Sequence, residues 1–234
     1  MYCKTLATIG WQKQAIFGGK AEVFECGPVL SPELLAQLLK FAHDQAEILP
    51  HDLNRPHRTT LFSTLNETFF TRESLEQWVS KSPLIAEVLC RFFECIDGYP
   101  LLKAGASPVL GYNFFMVTYQ GKGDEAANPN SVHQDVLSSG QPIDQTFIFR
   151  VDDPALMCGG GLIIKTEKGP GGDQIVVPYR QNWILGFENP CVFHVGEPYT
   201  AATDVHRILV MVMRTVMRSG DPLSVILPPK NMRE

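Results

Sequence analysis

The chain has 234 residues, 44% of them hydrophobic and 19% charged, a balance that buries a sizeable core and excludes a disordered chain. The formal net charge of −5 and the scatter of lysines and arginines exclude a bulk basic field, so nucleic acid is not an expected partner. Nowhere do about 18 apolar residues run together, which leaves no candidate spanning helix and no expected membrane partner.

Residues 1–25 lack the charged and apolar regions of a secretory signal. Six cysteines (Cys3, Cys26, Cys90, Cys95, Cys158 and Cys191) show no CxxC or pairing-like spacing and are read as reduced thiols of a cytoplasmic protein. The expected organisation is a single domain over 1–234. It comprises a mainly helical elaboration at 1–108, a β-rich core at 109–218 and a tail at 219–234.

Ser31-Pro32-Glu33 supplies an N-cap and a proline suited to the first helical position. Leu34, Leu35, Leu38, Leu39 and Ala42 then recur at helical spacing. A second helix is expected from Ser74 or Ser82 to Ile96, burying Leu84, Val88, Leu89, Phe92 and Phe93. Asp97-Gly98-Tyr99-Pro100 ends it.

From about Val109 short β-rich runs alternate with turn clusters, the texture of an antiparallel sandwich or barrel. Strands are expected at 111–119, 145–151, 161–166, 174–178, 183–187, 191–194 and 207–215. The turns between them include Lys122-Gly123-Asp124, Gly169 to Asp173, Glu188-Asn189-Pro190 and Gly196-Glu197-Pro198.

The triplet His133-Gln134-Asp135 carries the first chemistry, because in an extended segment a period of two puts both side chains on one face. Alone it is weak, since a structural histidine beside a surface aspartate reads the same way. Downstream, His194 adds a second imidazole, and Arg207 opens the apolar run Ile208 to Val212. Two neutral imidazoles and one carboxylate leave positions open on iron(II) for a chelating cosubstrate and oxygen. A buried guanidinium nearby suits two-point pairing with a carboxylate.

The plain alternative is a packed His194 and a strand-end Arg207. A rival pair is His206 with Arg218. Adjacent in sequence to Arg207, His206 falls on the opposite strand face, and Arg218 enters the Ser219-Gly220-Asp221-Pro222 turn region. Arg214, out of phase with Arg207, is expected to face solvent.

The order of His133-Gln134-Asp135, Gly159-Gly160-Gly161-Leu162-Ile163-Ile164, Trp183-Ile184-Leu185-Gly186-Phe187 leading to Val192-Phe193-His194-Val195, and His206-Arg207-Ile208-Leu209-Val210 resembles a known family. It is similar to the iron(II)/2-oxoglutarate-dependent dioxygenases that include bacterial L-isoleucine hydroxylases and related hydroxylases of free amino acids. The resemblance covers a little under half the chain, from about Gly111 to Thr215.

It implies an α+β protein with a double-stranded β-helix (jelly-roll, cupin-like) core and N-terminal flanking helices. By the same resemblance, His133, Asp135 and His194 hold Fe(II), and Arg207 holds the distal carboxylate of 2-oxoglutarate. With O2, 2-oxoglutarate goes to succinate and CO2, and an unactivated C–H bond of a small-molecule substrate is hydroxylated. Asp135 favours hydroxylation, because halogenating relatives lack that carboxylate.

Tyr112 and Asn113 are candidates to reach the cosubstrate, and Arg58, in Arg55-Pro56-His57-Arg58, is the candidate for a substrate carboxylate. Each also reads as an ordinary structural residue. Where the family often has Gln and Arg, this chain has Met116 and Thr118, a departure that bears on an amino-acid substrate. The stretch from Val136 to Pro142 is either a rim over the iron or a plain loop. Trp183 and Phe187 are read as core residues. Two other readings keep the sequence pattern: the same chemistry on a protein side chain or as desaturation or cyclisation, and a non-catalytic small-molecule-binding barrel. The substrate, the carbon attacked and the oligomeric state are not written in these motifs.

Overall fold

The structure is a computed structural model, and it describes residues 10–52, 58–64, 69–99, 110–120, 132–136, 143–168, 171–202 and 205–217. The turn at Lys122-Gly123-Asp124, most of the stretch after Val136, Arg218 and the tail at 219–234 lie outside these residues.

Helix α1 (Pro32–Ile48) starts as its sequence dictates: Ser31 stays extended and its side chain accepts the Leu34 N–H at 3.2 Å. Of the two starts expected for the second helix, the structure has the one at Ser82, which precedes α3 (Pro83–Ile96); a separate short helix, α2 (Arg72–Val79), comes before it. Pro83 explains the break, because it has no N–H to donate and disfavours helical geometry at Ser82, which sits at φ −116° and ψ 94°. Thr71 caps α2 by accepting the Ser74 N–H at 3.3 Å. Among the described residues no helix is long and apolar enough to cross a membrane.

Among the described residues twelve strands follow in chain order: β1 (Gln12–Ile16), β2 (Ala21–Cys26), β3 (Arg58–Ser63), β4 (Leu110–Gln120), β5 (Gln145–Arg150), β6 (Met157–Gly159), β7 (Leu162–Lys165), β8 (Gln174–Val177), β9 (Ile184–Glu188), β10 (Phe193–Gly196), β11 (Tyr199–Ala201) and β12 (His206–Val216). All seven expected strands are present, with ends displaced by one or two residues.

The first three strands depart from the expected helical N-terminal half. Four of the five β1 positions are exposed, so that edge strand carries no apolar alternation to read. β3 lies on the other edge, with its register shifting between Thr60 and Phe62.

The strands form a seven-stranded antiparallel sheet in the order β1-β2-β9-β5-β12-β4-β3, faced by a three-stranded sheet β10-β7-β8. Strand parity sorts the residues into two cores. Ile208, Val210 and Val212 of β12 and Phe114 and Met116 of β4 join the helices, with Phe92 and Phe93 of α3. Leu209, Val117, Ile148 and Phe187 point between the sheets, against Leu162 and Ile164 of β7. This is the double-stranded β-helix architecture, its helices stacked outside the larger sheet. The space between the two sheets is where the site lies.

Parity also corrects two expectations. Arg214 is out of phase with Arg207, yet it is buried: it bonds the Gln145 side chain at 2.8 Å and the Ile96 carbonyl at 3.1 Å. The α3 helix covers that face, so being out of phase does not mean facing water. Met116 and Thr118 likewise face the helical layer, Thr118 bonding His206 at 3.2 Å. Their identity therefore says little about a ligand between the sheets.

Candidate metal and anion site

The segment carrying His133 pairs with β10. His133 N–H donates to the His194 carbonyl at 3.0 Å, and His194 N–H returns to the His133 carbonyl at 2.8 Å. That two-bond bridge places the HxD triplet beside the later histidine, a pairing between residues far apart in sequence. Donor atoms of His133, Asp135 and His194 all lie within 4.8 Å of one another, and among the described residues they form the one group of three able to share a metal ion. Asp135 Oδ1 is 3.6 Å from His133 Nε2, and Oδ2 is 3.6 Å from His194 Nε2.

His206 is elsewhere. Its ring packs edge-on to His43 at 5.0 Å on the helical side of the sheet.

Residues without a signal in the sequence hold this cluster in place. Thr146 on β5 donates its hydroxyl to Asp135 Oδ2 at 2.7 Å, and the Asn189 amide donates to that hydroxyl at 2.5 Å. Gln134, pointing away from the two ligand-type side chains, donates to the Asn189 carbonyl at 3.0 Å. Such outer partners orient a ligating carboxylate. Thr146 is the second residue of β5, and Asn189 sits in an Asn-Pro turn; sequence reasoning missed both, because neither position carries a local mark of this role.

The protonation states suit a metal. Burial holds the His194 pKa down at about 4, against the opposing charge of Asp135, so at neutral pH the ring is the neutral imidazole a metal takes. Burial alone raises the Asp135 carboxyl, but the His133 hydrogen bond and the His194 charge overcome it and leave the pKa lowered. His133, with its side chain 51% exposed, forms the open side of the cluster.

A stability consequence follows for the metal-free protein. The folded pKa of His194 lies below its ordinary 6.5, so between the two values the unfolded chain binds a proton that the folded one excludes. Stability is present above about pH 6.5 and lost as pH falls toward 4, on the order of 3 kcal/mol. Urea midpoints at pH 7 and pH 5 should separate more for the metal-free protein than for His194→Gln. Equal separations would refute the assignment.

Arg207 completes the arrangement. It is buried, its Nε has no partner, and among the described residues no carboxylate pairs with it. Three tyrosine rings surround its guanidinium, with centroids 5.9 Å (Tyr119), 5.6 Å (Tyr179) and 5.5 Å (Tyr199) away. Burial keeps the phenols protonated, Tyr199 pushed up to about 12 and Tyr179 also raised; the Tyr199 hydroxyl donates to the Tyr119 carbonyl at 3.3 Å, while Tyr179 keeps its O–H as a donor.

Gly196 leaves room beside the cation: a Cβ there would stand 3.5 Å from Nη1. Gly196 is two residues beyond His194 on β10, which is one pleat repeat of roughly 6.6 Å on the same face. A buried unpaired cation is costly and calls for an anion.

The remaining candidate residues divide by parity as well. Tyr112 does not reach the site: it faces the helices and packs edge-on against Phe93 at 4.9 Å. Asn113, one position on, lines a cavity of about 300 Å³ together with Arg58, Phe115, Asp135, Ile143 and Met213. Arg58 already has a counter-charge, with Asp52 Oδ2 3.1 Å from its Nε.

Solved structures share this arrangement of strands and helices. The chain is similar to IDO from Bacillus thuringiensis at a TM-score of 0.51 and 16% identity, over 84% of this chain and 93% of that one. The likeness is one of fold. Lower-scoring matches include a prolyl-4-hydroxylase from Pseudomonas putida (TM-score 0.44, 15% identity, 91% and 96% covered). Another is the viral collagen prolyl hydroxylase from Paramecium bursaria Chlorella virus-1 (0.48, 13%, 93% and 99%). No protein-family model and no curated protein matches the chain.

Proposed function

We propose that this protein is an Fe(II)- and 2-oxoglutarate-dependent oxygenase that hydroxylates an unactivated C–H bond of a small molecule, a free amino acid or a close derivative. The observation that carries the reading is Arg207, a buried cation that no described carboxylate offsets, beside Gly196, which lies one strand repeat beyond His194 of a two-histidine, one-carboxylate cluster. A binding barrel has no need of both.

The donor set fits Fe(II), since it occupies one face of an ion and leaves the other positions open. In this reading His133, Asp135 and His194 hold the metal, and Arg207 with the Tyr179 hydroxyl holds the distal carboxylate of 2-oxoglutarate. The bound iron supplies oxygen activation coupled to conversion of 2-oxoglutarate and O2 to succinate and CO2. The protein's own contribution is placement. Thr146 and Asn189 fix the Asp135 carboxylate, and Phe187 packs edge-on to the His194 ring at 4.9 Å.

The cavity beside Asp135 is the substrate site in this reading. Its size, about 300 Å³, is at the small end for ligand pockets and suits a small molecule. Phe115, Ile143 and Met213 suit an aliphatic body, while Arg58 and Asn113 suit its polar end.

Anaerobic titration with Fe(II) and 2-oxoglutarate tests the assignment. Chelation should produce a weak visible charge-transfer band that neither component gives alone. No band with a metal-loaded protein would refute the oxygenase reading, and succinate release across free amino acids would then identify the substrate.

A further inference from the structure

Arg150 is fully buried at the end of β5, and its position ties it to Arg207 at two points. Its Nη2 donates to Asp152 Oδ2 at 2.6 Å and its Nη1 to the Gly160 carbonyl at 3.2 Å. The second oxygen of Asp152, Oδ1, accepts the Ile208 N–H at 2.6 Å, the peptide immediately after Arg207. The other link is Tyr179: the guanidiniums of Arg150 and Arg207 each lie 5.6 Å from its ring centroid.

A buried ion pair contributes little net stability, because desolvation offsets most of its attraction. What this pair supplies is position and charge balance. Through Asp152 it fixes the β12 backbone from which Arg207 projects. Through Arg150 it constrains the ring that carries the donor hydroxyl. Because Asp152 neutralises Arg150, the one uncompensated charge left in the cage among the described residues is that of Arg207.

We propose that Arg150 and Asp152 are positioning residues for the anion subsite, orienting Arg207 and Tyr179 and limiting the subsite to one net positive charge, matched to a single carboxylate rather than to a dianion such as phosphate. The inference rests on the oxygenase reading, in which that subsite takes the distal carboxylate of 2-oxoglutarate.

Calorimetry on the Mn(II)-loaded protein tests it without turnover. Arg150→Lys keeps the charge but loses the planar fork and its face against Tyr179. Its 2-oxoglutarate affinity should fall about tenfold, roughly 1.4 kcal/mol, with Mn(II) affinity unchanged. Asp152→Asn keeps an acceptor for the Ile208 N–H but leaves Arg150 uncompensated, so inorganic phosphate should now compete with 2-oxoglutarate, as it should not in the unaltered protein. A purely structural role predicts no such gain.

If Arg150→Lys does not fold, the neutral double variant Arg150→Met with Asp152→Asn should show the same selective loss of 2-oxoglutarate binding. Unchanged 2-oxoglutarate affinity, or equal loss of Mn(II) and 2-oxoglutarate, overturns the proposal, as does an Asp152→Asn protein indifferent to phosphate. Arg207→Met in the same series separates the two failures. If the unaltered protein binds Mn(II) but not 2-oxoglutarate, the oxygenase reading falls and this inference with it. If Arg207→Met alone loses 2-oxoglutarate, only the inference falls.

Discussion

Arg207→Met should weaken 2-oxoglutarate binding to the Mn(II)-loaded protein by roughly thirtyfold or more. Truncating one partner of a buried charge pair costs roughly 2–5 kcal/mol, and in the oxygenase reading the ligand carboxylate is the partner. The free protein should respond in the opposite sense. Without ligand, Arg207 is a buried cation that no described carboxylate offsets, so a neutral side chain of similar length should leave the melting temperature unchanged or raise it. Calorimetry and a thermal melt of the same preparation read both signs. A variant that melts lower and still binds 2-oxoglutarate would show Arg207 to be a structural residue.

Asp135→Ala should abolish measurable Mn(II) binding under conditions that saturate the unaltered protein. Asp135 supplies the single carboxylate of the cluster, set 3.6 Å from each imidazole, and its loss removes one of three donors and the negative charge. Thr146→Val grades the effect. It deletes the 2.7 Å hydrogen bond to Asp135 Oδ2 and should cost about 10–100-fold in metal affinity, the usual range for an outer partner of a ligand. Direct metal titration with a competing chelator measures both. If the threonine variant lost as much as the aspartate variant, the hydroxyl would have to be reassigned, and if neither lost affinity the cluster would not be the metal site.

The parts of this fold legible in the sequence are those with strong local signals. The cap at Ser31, the periodic leucines of α1 and the apolar runs of β4, β5, β9 and β12 each announce their structure within a dozen residues. What escapes is set by partners. β1 is an exposed edge strand held by β2, and β6 and β11 are three residues each and exist through one another. Ser82-Pro83 marks the start of α3, whereas α2, with only Leu75 and Val79 buried, has little apolar period of its own.

The site divides in the same way. The spacing of His133 and Asp135, and the parity that sets Arg207 apart from His206, are properties of extended chain and are legible in the order of residues. Parity alone leaves the outer face undescribed. Tyr112, Met116, Thr118 and Arg214 all lie there, under the helices, because α3 and its neighbours cover that side of the sheet.

Tertiary structure alone brings His133 against His194 through two backbone hydrogen bonds, recruits Thr146 and Asn189 from separate elements, and buries Arg207 among three tyrosines with no described acid beside it. Residue order is enough to say which side chains of each strand share a face, since alternation is a property of the extended backbone. Only the packing of two sheets decided which faces meet, because strand pairing and desolvation depend on residues far apart along the chain.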